Sequence, residues 1–450
     1  MTGLAEAIDD YHALLDDEIG RESQAQLDDQ HQRRGLFFGE RPLCTVLRPR
    51  FLSTEQYLHL QRAVRAVMPA FDKAHQAALA DARLRAQFSL APWEEELVRD
   101  DPGFAAASPT ARMDTFLSDE GLWFTEYNAE TPAAPAYCDA LSDVFSGLPV
   151  MQRFERAYDV WPLPGRHHVL AALLEAYRQW GGHERPRIAI LDWSEVPTYS
   201  EFLLFQDYFR RQGYECVIAD PRGCEYRNGQ LLADGVTPVQ LIYKRVLISE
   251  LVERCGLGHP VVRAVREGAA CMVNPFCCKL LHKKASLAVL SDEANRHMFS
   301  ANEGAAIDRT IPWTRIVAER RTQHHGQAVD LVPFLVDHQD QLVLKPNDEY
   351  GGKGIVLGWD VSAQAWAAAI QQALAEPYIV QQRVKVPAEP YPSLIDGRVQ
   401  LLDRMLDTNP FVWSGQYGSG CLTRLSTSAL LNVTAGGGST VPTFIVEKRE

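Results

Sequence analysis

The chain has 450 residues, 46% of them hydrophobic, which is enough for two to four packed domains or subdomains that fold without covalent staples. Its 45 basic and 58 acidic residues give a formal net charge of -13, which argues against a general nucleic-acid-binding surface and leaves only local basic pockets. A small-molecule enzyme fits better. Nine cysteines, an odd number with no CxxC pair, read as reduced and mostly buried thiols rather than a zinc site.

Met1 to Gly20 is acidic and amphipathic, and no run approaches the roughly 18 apolar residues that would span a bilayer, so the expected location is the cytoplasm. From Ala5 to about Phe88 the pattern is mainly helical. Tyr57, Leu60, Val64 and Val67 recur at helical spacing, and Ser53 with Gln56 predicts a capping box at the start of that helix. The charge run Asp28 to Arg34 reads as a solvated surface. Alternation over Asp114 to Asn128 predicts strands, followed by a turn at Thr131 to Pro135 and a helix from Asp139 to about Tyr158. Val160 to His168 is a punctuated connection. From Arg187 the character changes: IAILDW and CVIAD, Cys216 to Asp220, predict buried strands around a helix over Thr198 to Gln212. With Gln240 to Val246 as a third strand, they form a parallel α/β unit of about 90 residues. No GxGxxG follows IAILDW, which weakens a dinucleotide-dependent redox reading. After Asn274 a helical segment carrying Lys279, Lys283 and Lys284 ends by Asp292, and a polar, glycine-containing stretch runs to Pro312. Trp359 to Leu374 reads as a helix and Tyr378 to Gln382 as a strand. The tail is β-rich, with loops at Gly415 to Gly420 and Gly436 to Gly438.

Two stretches carry chemistry. In ARMDTFLSDEGLWFTEYNAETPA, Ala111 to Ala133, Arg112 and Asp114 share one face of a strand, a turn falls near Asp119 to Gly121, and Glu126 and Asn128 share one face of the next strand. A hairpin gathers all four on one concave face, where two carboxylates and an amide oxygen are hard ligands suited to magnesium. A solvated strand face is the alternative for this stretch alone. In QLVLKPNDEYGGKGIVLG, Gln341 to Gly358, Gly351, Gly352 and Gly354 separate two short strand signals, with Lys345 at the end of the first. Those glycines tolerate positive φ and can turn their amides onto a polyphosphate; a glycine hairpin with a surface lysine is the alternative. A β-branched run rather than a helix follows the loop and GxxxxGK[ST] is absent, so the helix-opening phosphate motifs do not apply. Together the two stretches read as the halves of an ATP site.

Arg112-x-Asp114, Glu126-Tyr-Asn128-Ala-Glu-Thr-Pro132, Tyr243-Lys-Arg245 and Leu344-Lys-Pro346 followed by GGKG resemble the ATP-grasp ligases, specifically the circularly permuted glutathionylspermidine-synthase-like branch. Eukaryotic-type glutathione synthetases are similar. In most ATP-grasp proteins the lysine and glycine loop precede D…E-x-N; here the order is reversed, as a circular permutation gives. The resemblance spans roughly Ala111 to the C-terminus. It implies a mixed α/β (α+β) architecture: a permuted ATP-grasp fold with a Rossmann-like parallel α/β substrate domain. Residues 1–165 would form a helical N-terminal region plus the metal-binding lobe, 186–275 the substrate domain, and 276–450 the nucleotide-binding lobes and the return to the body.

The resemblance further implies that Asp114, Glu126 and Asn128 bind magnesium, with Glu349 as a further ligand. Lys345, with Lys283 or Lys284, would hold the ATP phosphates beside Gly351, Gly352 and Gly354, and YIVQQ would meet adenine near Val380 and Gln381. Neighbouring helical residues point about 100° apart, so one of Lys283 and Lys284 faces the nucleotide. Arg112 would face an acyl phosphate, Arg245 the substrate, and Arg424 substrate or phosphate; Arg245 and Arg424 are equally suited to pairing with acids at domain seams. His282, His324 and His325 read as surface or loop histidines. The amidase domain that the synthase family can carry has no evident Cys-His arrangement here. The implied reaction joins a small-molecule or peptide carboxylate to an amine co-substrate with ATP and Mg2+, through an acyl phosphate and with release of ADP and phosphate. No nucleic-acid or membrane partner is implied, and no oligomeric state. A phosphotransferase using the same ATP site, and a non-catalytic ATP-binding module, are the alternatives.

Overall fold

Ser53 caps the long helix Thr54–Ala80 as the sequence predicts, in a computed structural model that describes residues 2–349, 351–427 and 438–449. The Ser53 side chain accepts from the Gln56 amide, and the Gln56 side chain accepts from the Ser53 amide. Leu60, Val64 and Val67 are fully buried along one face, each contributing on the order of 1.5–3 kcal/mol over an exposed position. The helix Ala301–Thr310 packs against it. That helix occupies part of the polar, glycine-containing stretch, where Ser300 and Glu303 form a second capping box and override the single Gly304.

The predicted hairpin is present: strands Thr110–Ser118 and Gly121–Asn128 pair antiparallel, with Arg112 opposite Asn128 and Asp114 opposite Glu126. It lies at one end of a larger sheet in which strand Asn409–Trp413 pairs with Thr110–Ser118 on one side and Tyr417–Ser426 on the other. The tail is thus β-rich as expected. The turn is confined to Ser414–Gln416, however, so Gly418 and Gly420 lie within a strand. Of the loop expected at Gly436 to Gly438, only Gly438 falls within the described residues.

Strands Ile188–Leu191, Cys216–Ala219, Leu241–Lys244 and Cys271–Val273 form a four-stranded parallel sheet. The first three are the strands that sequence predicts, with the helix Tyr199–Arg211 between the first two. The fourth carries only three residues, too short a run for periodicity to single out. The expected helix from Asp139 runs instead over Pro135–Ser146, since Pro135 suits the first helical turn. Tyr158–Pro162 is a strand on the C-terminal strand Thr443–Lys448, and the helix Arg166–Trp180 starts inside the expected connection.

A second four-stranded sheet, antiparallel, has the order Thr314–Ile316, Tyr378–Gln382, Leu342–Pro346, Val356–Leu357. The glycine stretch joins its last two strands, and Gly351, Gly352 and Gly354 have φ of 66°, 77° and 72°, the left-handed region their lack of a Cβ permits. The helix behind this sheet is Ala363–Ala375, begun by the Ser362 cap rather than at Trp359. Replacing Ser53 with alanine should lower stability by about 1 kcal/mol, read as a fall in the urea midpoint. A wild-type midpoint would show that the cap contributes nothing.

Candidate active site

The period of two along the hairpin places Arg112, Asp114, Glu126 and Asn128 on one face, and the chain's last third closes over it. Asp114 Oδ1 accepts from Arg112 Nε and Asn128 Nδ2, both at 2.9 Å, and its Oδ2 accepts from Arg424 Nη2 at 2.6 Å. Arg424 also bonds the buried Asp407. Burial alone would raise the Asp114 carboxyl; the Arg112 and Arg424 guanidiniums reverse that and hold it well below the usual carboxylate range. Asp114, expected as a metal ligand, is therefore engaged by three donors and acts on its neighbours. It turns the Asn128 amide so that the nitrogen is used and the oxygen is left for another partner.

Glu126 sits between two lysines. Lys284 Nζ lies 2.9 Å from its carboxylate and donates to the Glu349 carbonyl at 2.6 Å. Lys345 Nζ donates to the Gln381 side-chain oxygen at 2.7 Å and the Thr125 carbonyl at 3.1 Å, both neutral acceptors. Burial depresses the Lys345 ammonium to about 8; Glu126 opposes that shift and Lys284 adds to it. Burial would raise Glu126, but Lys284 outweighs it with help from Lys345, so the carboxyl stays below its ordinary value.

Lys283 and Lys284 are separated as expected, but by a different cause. The helix Cys278–His282 ends at Lys283 and the helix Ala285–Ser291 starts after Lys284, so the two lie at a break. Lys284 faces Glu126, whereas Lys283 turns to Glu94 at 2.9 Å and Asp348 at 3.0 Å. These acids belong to a buried network. Glu130, fully buried, lies 3.4 Å from Lys244 and 3.3 Å from Lys279 and accepts from the Ile248 amide; Lys279 also bonds Asp348 at 2.8 Å. Burial would raise Glu130, yet Lys279 and Lys244 bring it down to about 2. His282 is thus not a surface histidine. It is interior, 3.8 Å from Glu130, and burial lowers it to about 4, which keeps it neutral.

A cavity of about 490 Å³ collects most of these groups. Arg112, Asp114, Glu126, Asn128, Arg245, Lys345, Gly351, Gly352, Gln381 and Arg424 all line it. Val343, Ile355, Leu357, Trp359, Val384 and Val386 give it one apolar end. Arg245 borders the other end, bonded to the Pro132 carbonyl at 2.6 Å and 3.4 Å from Glu201. Lys283, Lys284, Gly354, Val380 and Glu349 are not in its wall. Val380 belongs to a central strand, its backbone paired with Leu344 and Arg315 and its side chain fully buried, so neither is free for a ligand. Gln382 at the end of that strand, with Val384 and Val386 just past it, reaches the cavity instead. The Gln381 side chain is spent on Lys345 and Thr314. The Glu349 carboxylate pairs with Lys353 at 3.2 Å, away from Glu126.

Asp192, Glu250, His282 and Asp407 also line the cavity and were given no site role from sequence. For Asp192 the position just past the buried strand IAIL was a usable signal, because ligands gather at the C-terminal ends of parallel strands. Among the described residues no group of three or more His, Cys, Asp or Glu is arranged to hold a metal ion. The cavity offers Glu126 and the Asn128 oxygen, a donor set that fits a magnesium ion arriving with phosphate oxygens and water.

No family model and no curated protein matches the chain. Among solved structures, a glutathione synthetase-like effector from Globodera pallida, in its apo form, matches at 13% identity and a TM-score of 0.60, over 96% of this chain and 98% of that one. The protein therefore shares a glutathione-synthetase-like mixed α/β fold. A provisionally named gamma-glutamylcysteine synthetase from Methylobacillus flagellatus KT matches at 12% identity and a TM-score of 0.44, over 87% of this chain and 88% of that one.

Burial raises the Asp192 carboxyl to about 6. A raised carboxyl stabilises the fold while it is protonated, and that contribution is lost as pH climbs from the unfolded value through 6. Asp192→Asn should therefore be more stable than the wild type at pH 7.5, by about 3 kcal/mol, with the advantage gone near pH 4. A pH-independent difference in melting temperature would refute this.

Proposed function

We propose that the protein is an ATP-dependent carboxylate-amine ligase of circularly permuted ATP-grasp type, forming an amide or peptide bond through an acyl phosphate. The observation that carries this reading is one cavity in which Lys345, Gly351 and Gly352 meet Glu126, Asn128 and three arginines, Arg112, Arg245 and Arg424. A site for phosphate alone does not call for three guanidiniums beside a carboxylate-lysine pair; activation of an acid does. In this reading residues 1–165 and 276–450 form the ATP-grasp body and residues 186–275 the substrate domain.

The apolar end takes the nucleobase. Lys345, which has only neutral partners, and Lys284 offset phosphate charge, while the left-handed glycines let backbone approach the phosphates. Glu126 and Asn128 would hold magnesium, with Glu349 as a further ligand once released from Lys353, and the ion would neutralise the transferring phosphoryl group. The substrate carboxylate oxygen attacks the γ-phosphorus, the bond to the β-phosphate oxygen breaks, and ADP leaves. Arg112 and Arg424, held in place by Asp114, stabilise the acyl phosphate, and Arg245 orients the acid. The amine then attacks the acyl carbon, loses a proton and expels phosphate. Asp192 and Glu250 beside Arg245 make a mixed-charge wall suited to an amine-bearing substrate. The glycine loop excludes the water that would hydrolyse the intermediate.

With the right acid and hydroxylamine in place of the amine, the protein should release ADP and form a hydroxamate. Lys345→Ala should suppress both products together, and Glu126→Ala should lower kcat by at least about 100-fold with the fold retained. ADP formed equally from an acid and its matched amide would sink the ligase reading; ADP with a stable phosphate ester would indicate a kinase. A second test uses the depressed lysine. At pH 8 Lys345 is about half charged, so binding of magnesium-ATP should take up about half a proton more in wild type than in Lys345→Met, a difference that fades by pH 6.5. Equal dependence of the binding enthalpy on buffer ionisation in the two proteins would remove Lys345 from the phosphate site.

A further inference from the structure

A second cavity, of about 610 Å³, lies on the opposite face of the same hairpin. Its wall includes Met68 on the long helix, Phe104 and Ala107 in the segment before the hairpin, Ala176 on the helix Arg166–Trp180, and Leu281. Its volume is within the range of small-molecule sites, about 300–1,000 Å³. Tyr127 also lines it, and successive strand residues face opposite ways, so Tyr127 points backward between the forward-facing Glu126 and Asn128. The Tyr127 ring packs on Phe71 at 4.8 Å, the residue is 2% exposed, and its hydroxyl is buried without a hydrogen-bond partner. Buried hydroxyls are normally bonded, so an unpartnered one beside a ligand-sized space points to a missing partner. Burial raises the phenol, so it keeps its proton and remains able to donate to an acceptor brought in by a ligand.

The wall is tied to the site in front. Leu281 immediately precedes His282, and Ser108, also in the wall, donates to the Ala129 carbonyl at 2.6 Å, one residue past Asn128. We propose that this cavity is a second small-molecule site, for a ligand with an apolar body and one hydrogen-bond acceptor for Tyr127, and that filling it stiffens the hairpin that carries Glu126 and Asn128. This site does not depend on the ligase reading, because occupancy and hairpin order are both readable without turnover.

The probes are 2-acetylnaphthalene and 2-isopropylnaphthalene, equal in size but differing in the carbonyl acceptor. The ketone should bind the full-length protein about five- to tenfold more tightly by ligand-observed NMR, the effect of one buried hydrogen bond. Tyr127→Phe loses only an unpartnered hydroxyl and should erase that preference while leaving the hydrocarbon's affinity unchanged. Ala106→Trp, in a half-buried loop position of the wall, and Gln179→Trp, at the exposed rim, should each weaken both probes at least tenfold. The ketone should also slow amide exchange across residues 110–128. Equal affinity for the two probes, a preference that survives Tyr127→Phe, or no effect of either tryptophan would overturn the site. Unchanged exchange in the hairpin with the ketone bound would overturn the coupling.

Discussion

A carboxylate taken wholly out of water must be matched by cations in contact with it, and Glu130 imposes that condition on three parts of the chain at once. Lys244 stands at the end of the parallel sheet, Lys279 on the helix Cys278–His282, and Glu130 itself just beyond the hairpin. Through Lys279 and Lys283 the same network reaches Asp348 at the base of the glycine loop and Glu94 in the helix Pro92–Leu97. Removing one partner from such a cluster costs on the order of 3–5 kcal/mol, because the rest remain buried and unbalanced. The geometry of the hairpin relative to the loop is therefore fixed by charge as much as by apolar packing. Asn274 reinforces it by donating to the carbonyls of Thr110, Ala129 and Glu130.

Asp114 plays a related part on the open side. It gathers Arg112 from its own strand and Arg424 from 310 residues away, and Asp407 shares the second arginine. Burial and the negative charge of Asp114 raise the Asp407 carboxyl against the pull of Arg424, so one guanidinium cannot fully satisfy both acids. An anion entering the cavity would meet arginines already oriented by carboxylates rather than flexible side chains. Preorganisation of that kind lowers the reorganisation needed when charge develops.

The parts of this arrangement that were legible in sequence are those set by local rules. Strand alternation puts Arg112, Asp114, Glu126 and Asn128 on one face, positive φ marks the glycines, and Ser53 with Gln56 announces a helix start. The assignments that shifted depend on partners far along the chain. Nothing near Thr110 signals that Asn409–Trp413 will pair with it. His282 reads as a surface residue until Glu130 and Asp348 are seen around it, and Glu349 reads as a ligand until the strand end turns it toward Lys353. YIVQQ looks the same in sequence whether it lies at an edge or in the centre of a sheet; in the centre the Val380 backbone is already spent.

The sheet that carries the hairpin also has a temporal side. During vectorial synthesis the strand Thr110–Ser118 leaves the ribosome roughly 290 residues before the strand Asn409–Trp413 that completes it, a delay on the order of 15 to 60 seconds at ordinary elongation rates. For that interval one edge of the hairpin has its backbone groups unmet, in a segment rich in β-branched and aromatic residues. Newly made chains thus pass through a window in which that edge can pair with another nascent copy, and chaperone demand should track translation speed between residues 118 and 409 more than the stability of the finished protein.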